Sequence, residues 1–210
     1  TGSDNMIEVR KFNKLSYTVR FPEGYTGGKM PVILHIHGAG GRGTDIEIIR
    51  DHYIHHALDK INENRFIVVS PQCYADTWFE IFNELLDFAE MVRNAEYTDE
   101  KHFYAMGASM GGYTTWQIAM TRPEYFAAIV PVCGGGMYWN AGRLKTVPVW
   151  AHHGMLDPSV YFEESVKMVN AVNCTGGNAR FTAYENVQHN SWENAYSNKE
   201  VYDWLLSHSK

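Results

Sequence analysis

The sequence predicts an α/β fold, a mostly parallel sheet of about eight strands flanked by helices. Three observations carry that reading. From Pro31 onward, short apolar runs alternate with longer amphipathic ones, the pattern of strands joined by covering helices. Pro31 to His37 and Phe66 to Ser70 are continuous runs, as expected of strands buried on both faces. Finally, the apolar run His102 to Met106 feeds into Gly107-Ala108-Ser109-Met110-Gly111-Gly112, and a helix-like segment, Tyr113 to Met120, leads out. That is a strand, a tight turn and a helix, with a serine at the apex.

The elements follow in order. Leu15 to Phe21 alternates as a strand, with Met6 to Phe12 as its pairing partner, and Pro31 to His37 is the first buried strand. Thr44-Asp45-Ile46-Glu47 has the spacing of a capping box and starts a helix reaching about Asn62. Phe66 to Ser70 is the next strand and Trp78 to Arg93 the next helix. The helix after the serine is stopped by Pro123, and Phe126 to Val132 and Val147 to His152 are two further strands. Pro158 to Val172 reads as a helix ended by Gly176-Gly177. Arg180 to Glu185 alternates as a last strand, and Ser197-Asn198-Lys199-Glu200 caps a final helix carrying Trp204, Leu205 and Leu206.

No linker divides the chain, so residues 1–210 are expected to form a single domain. A composition of 45% hydrophobic and 20% charged residues excludes disorder. The net charge of −6, without any run of Lys or Arg, gives no electrostatic footprint for nucleic acid or an anionic membrane. Cys73, Cys133 and Cys174 lie far apart without C-x-x-C spacing, so at most one bridge can form and no thiolate metal site is expected. Thr1 to Asn5 stand where an initiating methionine would, and read as a processed or vector-derived end. Compartment is left open, as is the choice between monomer and homodimer.

The chemistry centres on Ser109. A serine hydroxyl is a weak nucleophile at neutral pH, so it must meet a base and have N–H groups nearby for a developing oxyanion. The G-x-S-x-G turn supplies the exposed apex. Downstream, Asp157 follows the strand Val147 to His152, and His189 follows the strand Arg180 to Glu185. This is the order and placement that a nucleophile, orienting acid and base require at the carboxyl edge of such a sheet. Glu185 and Asp59 are rivals for the acid, but one is mid-strand and the other precedes the serine. A bland reading makes Asp157 the N-cap of the helix begun by Pro158, which is compatible with catalysis.

His37-Gly38-Ala39-Gly40-Gly41 ends a strand in a glycine-rich turn, the expected second half of an oxyanion hole. The two donors are placed at the N–H groups of Met110 and Ala39, with Gly40 as the close rival of Ala39. A phosphate loop is disfavoured because G-x-x-x-x-G-K-[ST] and a Rossmann fingerprint are both missing from the sequence. No cofactor and no metal are expected. His52, His55 and His56 share one helix face but lack H-E-x-x-H or a nearby acidic ligand, and His35, His152 and His153 are expected to satisfy buried hydrogen bonds. Aromatic residues crowd the loops beside the serine, and Trp78, Tyr138, Trp139 and Trp192 are the candidate substrate-binding residues.

Taken together, these marks resemble the α/β-hydrolase superfamily, and within it the compact carboxylesterases of the phospholipase/carboxylesterase, predicted-peptidase and dienelactone-hydrolase-like groups, with kinship to feruloyl and acetyl-xylan esterases. The residues that carry the resemblance are His37 to Asp45, Ser70-Pro71-Gln72-Cys73 with Trp78, Gly107 to Tyr113, Val132 to Gly136, His153-Gly154 with Asp157, and His189 with Ser191-Trp192. The resemblance implies a triad on Ser109, Asp157 and His189 and hydrolysis of a small-molecule or carbohydrate-linked ester. Departures fall at Asn190-Ser191 and Val160-Tyr161, where relatives vary. Hydrolases of this fold often insert a lid between the strands ending at Val132 and starting at Val147. Here that segment is short, so no lid domain and an open site are expected. Feruloyl or acetyl-xylan esterase action is the alternative, peptidase action is disfavoured, and a non-catalytic binding module is the rival from another class.

Overall fold

The structure is a computed structural model that describes residues 6–210. The expected processed end, Thr1 to Asn5, lies outside the described residues. Strands β1 (Ile7–Phe12), β2 (Leu15–Arg20), β3 (Met30–Ile36), β4 (Ile67–Pro71), β5 (Thr98–Ala108), β6 (Ala128–Val132), β7 (Val149–Gly154) and β8 (Ala179–Tyr184) form one sheet. Their order is β1-β2-β4-β3-β5-β6-β7-β8. The pairs β1–β2 and β2–β4 are antiparallel, and every other neighbour is parallel. Helices α1 (Glu47–Arg50), α2 (Tyr53–Lys60), α3 (Phe82–Arg93), α4 (Met110–Thr121), α5 (Glu163–Cys174), α6 (Trp192–Tyr196) and α7 (Lys199–Leu206) complete the fold.

Side chains alternate across a strand, so a strand covered on both faces feeds two cores. Val32, Leu34 and Ile36 of β3, with Phe103 and Ala105 of β5, join the core under α3, α4 and α5. Their neighbours Ile33, Tyr104, Met106 and Ala108 point the other way, into the core under α2, α6 and α7. This is why the central strands read as continuous apolar runs. β5 also extends beyond its expected start, back to Thr98, because Met30 pairs with Thr98. Glu100 and Lys101 are exposed there, so hydrophobicity gives no sign of that end.

The helices depart more from expectation. The single helix expected from Thr44 to Asn62 is broken into α1 and α2, because His52 takes an extended conformation at φ −65°, ψ 148°. The capping box is not formed; Asp45 Oδ1 instead accepts the N–H of Glu47 in a local turn. The helix expected from Trp78 starts at Phe82, since the Glu80 carboxylate accepts the N–H groups of Asp76 and Thr77 and closes a turn. Similarly, α5 begins at Glu163 and not at Pro158. Asn198, not Ser197, caps α7 by accepting the N–H of Glu200.

The carboxyl ends of the parallel strands converge. Register pairs Ile36 with Gly107, Ala108 with Val132, and Gly154 with Tyr184. The loops leaving those ends therefore share one edge of the sheet, and every candidate residue of the triad and the glycine turn sits on them.

Candidate active site

Ser109 occupies the turn between β5 and α4 at φ 58°, ψ −121°, a backbone conformation that L residues rarely adopt. Holding it costs about 1–3 kcal/mol, which the surrounding packing must offset. The turn is possible because strand and helix come unusually close. A Cβ on Gly111 would run into the carbonyl oxygen of Ile36, and one on Gly107 into that of Gly111. A backbone bond from Ser109 N–H to Val132 O (3.0 Å) pins the apex to β6.

The structure brings Ser109, His189 and Asp157 together. Ser109 Oγ lies 2.9 Å from His189 Nε2, and His189 Nδ1 lies 2.8 Å from Asp157 Oδ2. A carboxylate only accepts, so Nδ1 donates to Asp157 and Nε2 is left free to take the serine proton. Asp157 is buried, and its Oδ1 accepts the N–H groups of Ser159 and Val160, both at 2.9 Å. Asp157 thus closes a turn without capping α5. His189 arrives from a different loop, and Gly154 makes the approach possible, since a Cβ there would strike the carbonyl oxygens of Val187 and Gln188. Trp192 packs edge-on to the His189 ring at 5.4 Å.

A second histidine touches the acid. His153 is fully buried, with Nε2 2.8 Å from Val160 O and 3.3 Å from Asp157 Oδ2. Both partners are acceptors, so Nε2 carries a hydrogen and the ring braces the same Asp157 oxygen that His189 meets. Its Nδ1 meets Ser165 Oγ at 2.6 Å, tying the acid loop to α5. Burial lowers the His153 pKa, partly offset by the Val160 carbonyl and Asp157. His153 thus satisfies its buried hydrogen bonds as expected, whereas His35 and His152, expected to do the same, each keep a buried Nε2 without a partner.

The glycine turn after β3 forms a short 3-10 segment, Ala39–Gly41. Ala39 opens that segment and Met110 opens α4, so both carry N–H groups that no helical turn takes up. The turn is held from behind by His37. Cys73 N–H donates to His37 Nε2 at 2.9 Å, which leaves Nδ1–H to donate to Gly38 O. Burial lowers the His37 pKa to about 4, in keeping with a neutral ring whose Nε2 accepts. Trp78 completes the brace: its indole N–H donates to His37 O at 3.1 Å.

That position corrects an expectation. Trp78 is fully buried behind the glycine turn, so it shapes that turn and does not line the cleft. Tyr138 and Trp139 depart too. They sit on a short helical turn, Tyr138–Leu144, and Trp139 is 72% exposed to solvent. Among the four aromatic candidates, Trp192 alone lines the cleft that opens on Ser109. This cleft has a volume of about 340 Å³ and is walled by Gly38 to Gly41, His52, Tyr53, Trp192 and Tyr196. His52, Tyr53 and Tyr196 were not anticipated as site residues, because they depend on the α1–α2 break and on the return of α6.

All three cysteines are free, Cys73 and Cys133 buried and Cys174 exposed. The side-chain ligand atoms of Cys133, Asp157 and His189 lie within 4.8 Å of one another. Burial pushes the Cys133 thiol up to about 12, so it stays protonated, and the other two groups are engaged with each other. His52, His55 and His56 do not share one helix face as expected: His52 is extended ahead of α2, His55 is buried, and His56 is exposed and meets an acid, Asp51, at 2.8 Å.

Sheet order, serine elbow and glycine turn are those of the α/β-hydrolase fold. Residues 73–139 match the prolyl oligopeptidase family, a segment that holds the elbow but neither Asp157 nor His189. The chain is similar to the probable feruloyl esterase C of Aspergillus terreus (strain NIH 2624 / FGSC A1156), with 26% identity over 167 residues. That match covers 77% of this chain and 62% of the fungal protein. A solved thermostable esterase superposes with a TM-score of 0.86 at 30% identity, covering 98% of this chain and 64% of that one. Est1E from Butyrivibrio proteoclasticus gives 0.73 at 17% identity, covering 96% and 98%. The chain therefore spans less than two thirds of the length of the first two.

Proposed function

We propose that this chain hydrolyses carboxylic esters through an acyl-enzyme on Ser109, without a cofactor. The relay from Ser109 Oγ through His189 to Asp157, at 2.9 and 2.8 Å and open to a cleft, is the observation that carries the reading. Ser109 attacks the ester carbonyl as His189 Nε2 takes its proton. Oxygen charge then develops where the Ala39 and Met110 N–H groups are available, and His189 returns the proton to the departing alcohol. Water repeats the cycle to release the acid. Turnover of p-nitrophenyl acetate by the intact chain, lost in Ser109→Ala, tests the reading; equal turnover by both proteins would refute it.

Feruloyl ester hydrolysis is the second reading, and the fungal relative's description favours it. A comparison of methyl ferulate with p-nitrophenyl acetate and butyrate tests it. Indifference to the aromatic acid would remove that version and leave the first.

A further inference from the structure

We infer that the inner wall of the cleft is a recognition subsite for a neutral hydroxyl group on the ester, with His52 as the specificity-determining residue. The inference rests on the ester-hydrolase reading, since the same cleft holds Ser109 and His189. His52 reaches the cleft only because the chain breaks between α1 and α2, its own extended backbone forming the break. Behind it, the His35 ring lies 4.9 Å away, and the Tyr196 ring packs edge-on to His35 at 5.7 Å.

These three side chains, like several others elsewhere in the described residues, share one property. His52 Nδ1, His35 Nε2 and the Tyr196 hydroxyl are buried, and none has a hydrogen-bond partner among the described residues. Buried polar groups are nearly always partnered, so an orphaned set beside a substrate cleft points to a ligand or a displaceable water. By contrast, the Tyr53 hydroxyl in the same wall is already held by Ser197 Oγ at 2.9 Å.

Charge narrows the ligand. Among the described residues no Asp, Glu, Lys or Arg lines the cleft, so neither a carboxylate or phosphate nor an amine finds a counter-ion there. Burial lowers the pKa of both His52 and His35, keeping the rings neutral near pH 7. A neutral imidazole offers one donor and one acceptor, and a hydroxyl matches that pair. The recognised group therefore belongs to an uncharged, hydroxyl-bearing acid or alcohol portion.

Two matched ester pairs separate those sources. Methyl 3-(4-hydroxyphenyl)propanoate against methyl 3-phenylpropanoate places the hydroxyl on the acid, and 2-hydroxyethyl butyrate against propyl butyrate places it on the alcohol. The hydroxylated member of one pair should show at least about tenfold higher kcat/KM. His52→Phe should reduce that ratio to near one, and His52→Gln, which keeps a hydrogen-bonding group and covers the case of a poorly folded Phe variant, should retain part of it. No preference in either pair, or a preference that survives His52→Phe in folded protein, would overturn the inference. Calorimetric binding of the same esters to Ser109→Ala reads the subsite without turnover. A hydroxyl preference in binding with no hydrolysis by the intact chain would sink the catalytic reading alone, whereas hydrolysis without discrimination would sink the subsite alone.

Discussion

The relay residues and the inner-wall residues of the cleft differ in how their buried polar atoms are partnered. On the relay side, Asp157 accepts from Ser159, Val160 and His189, His153 engages both ring nitrogens, and His37 is held at both of its own. On the inner wall, His35, His52 and Tyr196 each keep a buried polar atom without a partner. A reacting group must be held in one geometry before substrate arrives, because reorganisation during the reaction weakens its effect. A recognition wall can instead complete its hydrogen bonds with the ligand. The difference separates the part of the site built for chemistry from the part built for selection.

The largest expected effect isolates the chemistry. Ser109→Ala should lower kcat by on the order of 10³ or more while the thermal midpoint changes little, since the variant removes one oxygen from an otherwise intact relay. Equal kcat in variant and parent would place the reaction elsewhere. A second substitution attacks the scaffold behind the relay side. Trp78→Ala empties a fully buried site and frees the His37 carbonyl, so urea denaturation should show a loss of about 3–5 kcal/mol, with kcat reduced in whatever protein stays folded. An unchanged denaturation midpoint would mean the indole does not brace the glycine turn.

Acidification sharpens the contrast through stability. The folded protein holds His37 near pKa 4 and His55 and His152 near 3, all through burial, whereas an unfolded histidine titrates near 6.5. Below about 6.5 the unfolded chain gains protons that the folded chain refuses, so the stabilisation is complete above that pH and falls as pH drops toward 4. At pH 5 the loss should be on the order of 2 kcal/mol for each such histidine, read as a lower urea midpoint at pH 5 than at pH 7.5. A flat midpoint across that window would contradict neutral buried rings. The smallest effect lies outside both walls. Trp139→Ala should change kcat/KM for small esters less than about twofold and stability by about 0.5 kcal/mol or less, as for other exposed positions.

Much of the relay side was legible before the structure. The elbow is a local pattern, and the acid and base follow strands whose burial on both faces makes them continuous apolar runs. Their order along the chain then suffices to bring them to one edge. The inner wall was not legible for a physical reason. It assembles His35 from β3, His52 from a break that neither proline nor glycine marks, and Tyr196 from the end of α6. Thr44 and Glu47 carry capping-box spacing, which favours one helix, while the observed break exposes His52 to the cleft and hides His55. Trp78 failed for a related reason: an aromatic residue on a loop near a site reads the same whether it faces substrate or braces the turn behind it.

The most direct test of the relay is covalent. An active-site fluorophosphonate incubated with the folded chain, followed by intact-mass and peptide mass spectrometry, should give a single stoichiometric adduct on Ser109 that disappears in Ser109→Ala and slows sharply in His189→Ala. Folded protein that takes up no label, or takes it up elsewhere than Ser109, would contradict the account.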